Sequence, residues 1–370
     1  MRVVVTGGGT GGHIYPGLAI IRELCKNNPD TEVLYVGTTN GLEADIVPKE
    51  EIPFQTISSR GFQRKLSLDT LKTILVAGKG FFEAGHILRN YRPDIVVGTG
   101  GYVAGPMVLQ ASLLGIPTLI HEQNALPSLT NRLLARFVSA IAVSFPEAIP
   151  FFKTKAPVFD TGNPVRREIM ELERSQAIKM LGLDPLKQTI LIVGGSRGAE
   201  PINKAVLGLI PQILNHEQLQ MIFVTGQRHY DEILQSTQCY GRLTPAIQIV
   251  PYMYQMPAGL KAADLIVSRA GGMIAEIHVC GLPAIYVPSP HVADNHQEFN
   301  ARAIEQKGAG FMVRECELTS EVLWSRIQEI LYHPEQLQEM KRAAFSLAKP
   351  QAAEELANLV VQISGWKGSI

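Results

Sequence analysis

Short apolar runs that end in glycine set the rhythm of this chain. Val3-Val4-Val5 runs into Thr6-Gly7-Gly8-Gly9-Thr10-Gly11-Gly12-His13, and after Tyr15-Pro16-Gly17 the stretch Leu18 to Leu24 has helical spacing. The pattern predicts a buried strand, a glycine turn and a helix. It recurs where Ile95-Val96-Val97 empties into Gly98-Thr99-Gly100-Gly101-Tyr102, with a helix from Gly105-Pro106. It returns at Ile190–Val193 before Gly194-Gly195-Ser196-Arg197-Gly198-Ala199, and at Leu265–Ser268 before Gly271-Gly272 and a helix from Met273. Val33–Gly37, Ile116–Ile120, Ala140–Phe145, Gln220–Gly226, Ile247–Val250 and Ala284–Pro288 read as further strands, with Ala140–Phe145 the last of the first half. Gly41–Val47 and Leu172–Leu181 read as helices, and the tail as three more: Glu321–Leu331, Glu335–Leu347 and Gln351–Ile363. The fold class is α/β, built twice.

The turns carry the candidate chemistry. Glycine lets backbone approach a ligand, and a helix N-terminus favours a phosphate. The first turn is neither a dinucleotide fingerprint, since glycines crowd every gap and it holds an imidazole, nor a P-loop, since no Lys-Ser/Thr pair closes it. Loops 6–13, 98–102 and 121–128 fall at the carboxyl ends of strands in one domain, which predicts a single site. His121-Glu122 reads equally as a ligand contact or a loop-ordering network, and Asn124 has the amide for a sugar. In the second half Ser196 suits a phosphate oxygen, and Asn203 falls within the helix after that turn. Tyr252 and Met253 lie just past a strand, where an aromatic can cover a base. Glu276 fits a helix first turn and can also accept from two ribose hydroxyls. The loop from Ser289 to Asn300 is dense in groups for sugar hydroxyls, and its Asp294…Gln297 spacing is also that of a capping box. Gly162-Asn163-Pro164-Val165-Arg166 reads as a linker, with Arg166 reaching a phosphate, a base or a surface carboxylate.

Composition narrows the picture. The 370 residues suffice for two domains, and 46% hydrophobic content gives each a core. Charged residues are 18%, below the usual share of about a quarter, so much surface is buried or covered. Lys plus Arg balances Asp plus Glu at 34 each, so no overall charge points to nucleic acid. Cys25, Cys239, Cys280 and Cys316 form no CxxC pair, and no metal-spaced carboxylate set, HExxH or GxSxG occurs. With no signal peptide and no apolar run of roughly 18 to 20 residues, a cytoplasmic protein is expected. Arg60-Gly61-Phe62-Gln63-Arg64-Lys65 is basic, and Leu66–Phe82 is apolar with Lys72 and Lys79 and no acid after Asp69. That pattern fits a helix covering the sheet, or one lying on an anionic membrane surface. The lack of a DxD-like acidic pair argues against a metal-bridged diphosphate and leaves charge neutralisation to helix N-termini and backbone amides.

Seven motifs then occur in order: Thr6–His13, Gly100-Gly-Tyr-Val103, His121–Ala125 with Leu129-Thr-Asn-Arg132, Gly162–Arg166, Gly194–Ala199, Ser268–Gly271 and Asp294–Gln297. Together they resemble the MurG family of bacterial UDP-N-acetylglucosamine:lipid I N-acetylglucosaminyltransferases, over essentially the whole chain. The resemblance implies the GT-B fold, two Rossmann-like domains with parallel sheets facing across a cleft. It implies a lipid-acceptor and membrane-facing domain at 1–162, a UDP-N-acetylglucosamine-binding domain at 163–345, and a helix at 346–370 crossing back to the first. It implies transfer of N-acetylglucosamine to the 4-hydroxyl of undecaprenyl-diphosphate-linked N-acetylmuramoyl-pentapeptide (lipid I), giving lipid II for peptidoglycan by an inverting single displacement. Carried over, Thr10, Gly11, Gly12 and His13 line the acceptor, and Ser196 meets the UDP diphosphate. Glu276 holds the ribose, Tyr252 and Met253 flank the uracil, Gln297 and Asn300 lie by the donor sugar, Asn124 reaches that sugar from the other domain, and Arg166 sits at the nucleotide. His13 is the candidate base, the other role open to it being to bind the acceptor or order the loop. Leu66–Phe82 becomes a patch on the cytoplasmic face of the inner membrane, lipid I the partner there beside other cell-wall synthesis proteins. No cofactor is tightly bound, and a divalent cation acts through substrate diphosphate.

One departure stands out. The family reads Ser-Arg-Ala-Gly-Ala/Gly-x-Thr-x-x-Glu, whereas Gly272-Met273-Ile274-Ala275-Glu276 is one residue shorter and lacks the threonine. Weaker or altered UDP binding is expected. A GT-B enzyme with a different lipid or small-molecule acceptor would share the C-terminal site without needing His121–Asn124. A UDP-sugar 2-epimerase would need carboxylate acid/base residues, and a non-catalytic scaffold would tolerate changes at His13 and Ser196.

Overall fold

The computed structural model describes residues 1–60, 68–195, 197–241, 243 and 245–366, with side chains for all of these except 68–74. The chain divides into two units, Met1–Val165 with Lys349–Ile370, and Arg166–Ala348. Each boundary lies three residues beyond the expected 162/163 and 345/346.

Among the described residues unit 1 holds a seven-stranded parallel sheet. Its strands are β1 (Arg2–Gly7), β2 (Glu32–Gly37), β3 (Phe54–Thr56), β4 (Ile95–Gly100), β5 (Thr118–Glu122), β6 (Ala140–Val143) and β7 (Val158–Asp160), in spatial order 3-2-1-4-5-6-7. Parallel strands covered on both faces need apolar residues at every position, which is why valine runs fill them. Val3, Val5, Ile95 and Val97 face a core shared with helix Gly11–Asn27, and Val4, Val96 and Ile120 face one shared with Ala84, Leu88, Met107 and Val108. The last helix, Ala352–Ser364, completes the first of these cores with Leu356, Ala357, Leu359 and Val360.

Unit 2 repeats the plan. Among the described residues its strands β8 (Gln188–Val193), β9 (Leu219–Val224), β10 (Ile247–Val250), β11 (Leu265–Ser268), β12 (Ala284–Tyr286) and β13 (Gly310–Met312) form a parallel sheet in order 10-9-8-11-12-13. Ile190, Ile192, Phe223 and Val267 meet Ile202, Val206, Leu323 and Ile327 in its core. The three tail helices run Ser320–Leu331, Pro334–Ser346 and Ala352–Ser364, each close to its expected span.

Three expectations need correction. The first helix begins at Gly11, inside the glycine turn, and contains Pro16. Proline has no N–H to give the carbonyl of Gly12, yet the remaining ladder and the buried stripe Ile14, Leu18 and Ile21 keep the helix continuous. Ala140–Val143 is not the last strand of unit 1: β7 follows, three half-buried residues at the sheet edge with no apolar run to announce them. Asp294 and Gln297 do not form a capping box. Asp294 and Asn295 both adopt left-handed φ of 54°, helix His296–Gln306 starts after them, and Gln297 Oε1 accepts from Ser289 N at 2.9 Å.

Candidate active site

In each sheet the strand order reverses beside the first strand, between β1 and β4 in unit 1 and between β8 and β11 in unit 2. Loops leaving the carboxyl ends of such a pair part to opposite faces and leave a crevice, the usual ligand site of open α/β sheets. Both pairs carry the glycine turns.

In unit 1 the turns after β1 and β4 interlock. Gly8 N donates to Gly100 O at 3.2 Å, and Thr99 Oγ1 donates to His13 O at 2.7 Å. Gly100, at φ 108°, lies under the His13 ring, and a Cβ there would come within 2.7 Å of His13 Cδ2. His13 Nδ1 is 3.0 Å from Gly8 O. A carbonyl only accepts, so Nδ1 carries the proton and the lone pair of the neutral ring sits on Nε2. Glu43 is fully buried below the turn, where its carboxylate accepts from Gly9 N at 2.9 Å, Thr38 N at 3.0 Å and Thr38 Oγ1 at 2.7 Å.

The loop after β5 is ordered from within. Glu122 is buried and accepts from Asn124 N, Asn124 Nδ2, Ser128 N and Asn131 Nδ2, all at 2.9–3.0 Å. His121 is also buried, with Nε2 3.0 Å from Gly162 O and Nδ1 3.1 Å from Gln123 Nε2. Burial holds its pKa down to about 4, so the ring is neutral. His121-Glu122 is therefore the loop-ordering network, and Gln123 and Asn124 are the partly exposed members of the motif.

In unit 2 the turn after β8 is shaped by backbone packing. Gly198 N donates to Gly195 O at 3.0 Å, and a Cβ on Gly198 would lie 2.1 Å from Thr225 O. Buried Asn203 donates to Thr225 O at 3.0 Å. Ser196 lies outside the described residues. Across β11, Arg166 grips Glu276 with both ends of the guanidinium, Nε to Oε1 at 2.6 Å and Nη2 to Oε2 at 2.7 Å. Of the two sequence readings, Arg166 thus pairs with a carboxylate, the one expected to hold a ribose. Tyr252 stands half-exposed past β10, its ring 4.8 Å from that of Tyr254, while Met253 is buried against Gly259. Gln297 lies over Gly271 with its Nε2 3.6 Å from where a Cβ would be. Asn300 is buried and donates to Ala270 O at 3.1 Å, so it braces the turn after β11 and does not present its amide at the surface.

Sequence reasoning missed Glu43, Thr99 and Gln123 as the braces of the His13 turn. The available signal was steric: Gly8, Gly37 and Gly41 have no side chain because a Cβ on any of them would strike Glu43. Among the described residues no cluster of three His, Cys, Asp or Glu side chains could hold a metal ion, and no helix is long and apolar enough to cross a membrane.

Two parallel-sheet units of this strand order, each with a glycine turn at its switch point, make a GT-B fold. The chain belongs to glycosyltransferase family 28, whose N-terminal domain matches residues 3–143 and whose C-terminal domain matches residues 189–356. It is 47% identical to the UDP-N-acetylglucosamine–N-acetylmuramyl-(pentapeptide) pyrophosphoryl-undecaprenol N-acetylglucosamine transferase of Halalkalibacterium halodurans, over 98% of this chain and 100% of that one. It is 48% identical to transferase 1 of the same name from Bacillus cereus, over 96% and 97%. The crystal structure of Acinetobacter baumannii MurG, 30% identical, superposes with a TM-score of 0.79 over 98% of this chain and 99% of that one.

Proposed function

We propose that this chain transfers N-acetylglucosamine from UDP-N-acetylglucosamine to the 4-hydroxyl of undecaprenyl-pyrophosphoryl-N-acetylmuramoyl-pentapeptide, giving lipid II, the reaction for which its relatives are named. The observation that carries the reading is the His13 ring, whose Nδ1 proton is committed to Gly8 O at the unit 1 switch point, setting the Nε2 lone pair to take a proton. In this reading unit 1 binds the acceptor and unit 2 the donor. The acceptor hydroxyl loses its proton to His13 as it attacks the anomeric carbon opposite UDP, and the α-linked donor becomes a β-linked product. Charge grows on the departing UDP, where the amides of the turns after β8 and β11, with Ser196, stabilise it most as the bond breaks. Glu276 takes the ribose hydroxyls, Tyr252 covers the uracil, and Gln297 and Asn124 contact the sugar. No resident cofactor enters, and a divalent cation acts through the substrate diphosphate.

The same reading sets helix Leu68–Tyr91 on an anionic membrane, at the cytoplasmic face where lipid I is presented. Leu75 and Phe82 are 66% and 77% exposed on it beside exposed Lys79. Apolar side chains with adjacent cations are what such a surface binds.

The test is UDP release from UDP-N-acetylglucosamine in detergent, with and without a lipid I analogue. Acceptor-dependent release with a disaccharide product supports the reading. Release without acceptor points to a hydrolase or epimerase, and no release despite UDP binding points to another acceptor.

A further inference from the structure

The chain passes between the units twice, at Val165/Arg166 and at Ala348/Lys349. Inside unit 1 both passages meet at Gly162. Its φ is 77°, and a Cβ there would lie 2.4 Å from Lys349 Cβ and 3.5 Å from Ala352 Cβ. Lys349 Nζ also pairs with Asp160 at 3.1 Å. The carbonyl of Gly162 points to His121, whose Nε2–H donates to it at 3.0 Å.

From there the hydrogen bonds run on without a gap. With its proton on Nε2, His121 accepts at Nδ1 from Gln123 Nε2 at 3.1 Å. The same Gln123 amide nitrogen donates to Thr99 O at 2.8 Å. The amide cannot be reversed, because its oxygen would then face the carbonyls of Thr99 and His121, the second at 3.3 Å, and the lone pair of Nδ1. Thr99 in turn donates its hydroxyl to His13 O, and Gly100 carries the His13 ring. Every link has a defined donor and acceptor; His121 and Thr99 are fully buried and Gln123 partly so.

We infer that His121 and Gln123 are positioning residues, a rigid tie from the paired chain crossings at Gly162 to the turn that carries His13. The tie makes the placement of the His13 ring depend on the crossings. Moving the Gly162 carbonyl relative to β5 draws on His121, and either the Thr99–Gly100 peptide follows or a buried bond breaks. The consequence for catalysis rests on the reading of His13 as base, while the mechanical tie does not.

Gln123→Met tests this, since it keeps the side-chain length and removes both donors, and Gln123→Glu, which keeps the shape, is the second variant. Circular dichroism and thermal unfolding establish that each folds. The expected result is a fall of about tenfold or more in kcat for acceptor-dependent transfer, of the size a small misplacement of a reacting group produces. UDP affinity and the acceptor KM should stay within about twofold, as the Gln123 amide nitrogen is committed to Thr99 O and His121 Nδ1. Amide hydrogen exchange should quicken together at Gly8, whose N–H bonds Gly100 O, and at Thr161 and Gly162, whose N–H groups bond Val143 O. Faster exchange at Gly8 with Thr161 and Gly162 unchanged overturns the tie. So does unchanged exchange at all three with kcat intact. If exchange rises at all three but kcat holds, and His13→Ala is also active, the tie stands and the reading of His13 falls.

Discussion

The turn after β1 and the turn after β8 start from the same strand, glycine turn and helix, but they are made of different materials. In unit 1 the turn is held by buried side chains: Glu43 takes the N–H of Gly9, and in the neighbouring loop Glu122 takes those of Asn124 and Ser128. The Gly9 amide, bonded to Glu43, is not offered to a phosphate. What that turn presents is the His13 imidazole. In unit 2 the turn is shaped by glycine backbone packed on backbone, and the charges of Arg166 and Glu276 across β11 cancel each other. In the proposed reaction this is the division of labour required, a hydroxyl with a base on one side and a leaving diphosphate met by backbone donors on the other.

The sharpest break of that contrast is His13→Ala. Transfer should fall by about 10²- to 10⁴-fold, the usual worth of a general base, while UDP binding measured by calorimetry is unchanged. Activity within tenfold of the parent would remove the base from unit 1.

Next comes acid. His121 in unit 1 and His278 in unit 2 are buried with pKa values lowered to about 4, chiefly by desolvation. Below the ordinary value of about 6.5 the unfolded chain takes up a proton that the folded chain refuses. Their contribution to stability is therefore complete above that pH and declines as pH falls toward 4, by roughly 1.4 kcal/mol per pH unit for each. Urea midpoints should drop between pH 6.5 and 4.5 in both units, and midpoints flat over that range would show the rings to be hydrated.

The donor side is probed by Glu276→Gln. Loss of a charged acceptor for ribose should cost about tenfold in UDP affinity, and a 2′-deoxy analogue should lose less. Equal losses for the two nucleotides would mean that Glu276 serves only Arg166. The smallest effect concerns the shortened turn. Inserting a threonine between Met273 and Ile274 restores the family spacing and a hydroxyl donor and should tighten UDP by about fivefold. Unchanged affinity would mean the short turn already meets the diphosphate fully.

What the sequence disclosed follows the same division. The valine runs and glycine breaks announced every central strand, because a strand buried on both faces has no freedom in composition. β7 and β13 escaped because an edge strand of three residues needs no apolar run. The motif at 121–124 was visible, but its roles were not. Which of four consecutive polar residues points inward depends on Gly162, 41 positions away from His121, and on Thr99, 24 away from Gln123. Arg166 and Glu276 were each singled out in the sequence, yet their pairing across 110 positions was not legible, since nothing local couples them. Glu43 was passed over because a lone acid at the start of a short helix looks like an ordinary surface residue until the glycines around it are brought together.

The returning helix has a consequence for the order of events during synthesis. Leu356, Ala357, Leu359 and Val360 pack with Ile14, Leu18 and Ile21, so part of the first unit's interior is supplied only after all of the second has been translated. Unit 2 is a contiguous segment and can mature on the ribosome as soon as it emerges, whereas the nascent unit 1 must wait with one helical face uncovered. Chaperone demand should therefore fall on the segment made first, and chains released before Leu356 should be the ones that aggregate.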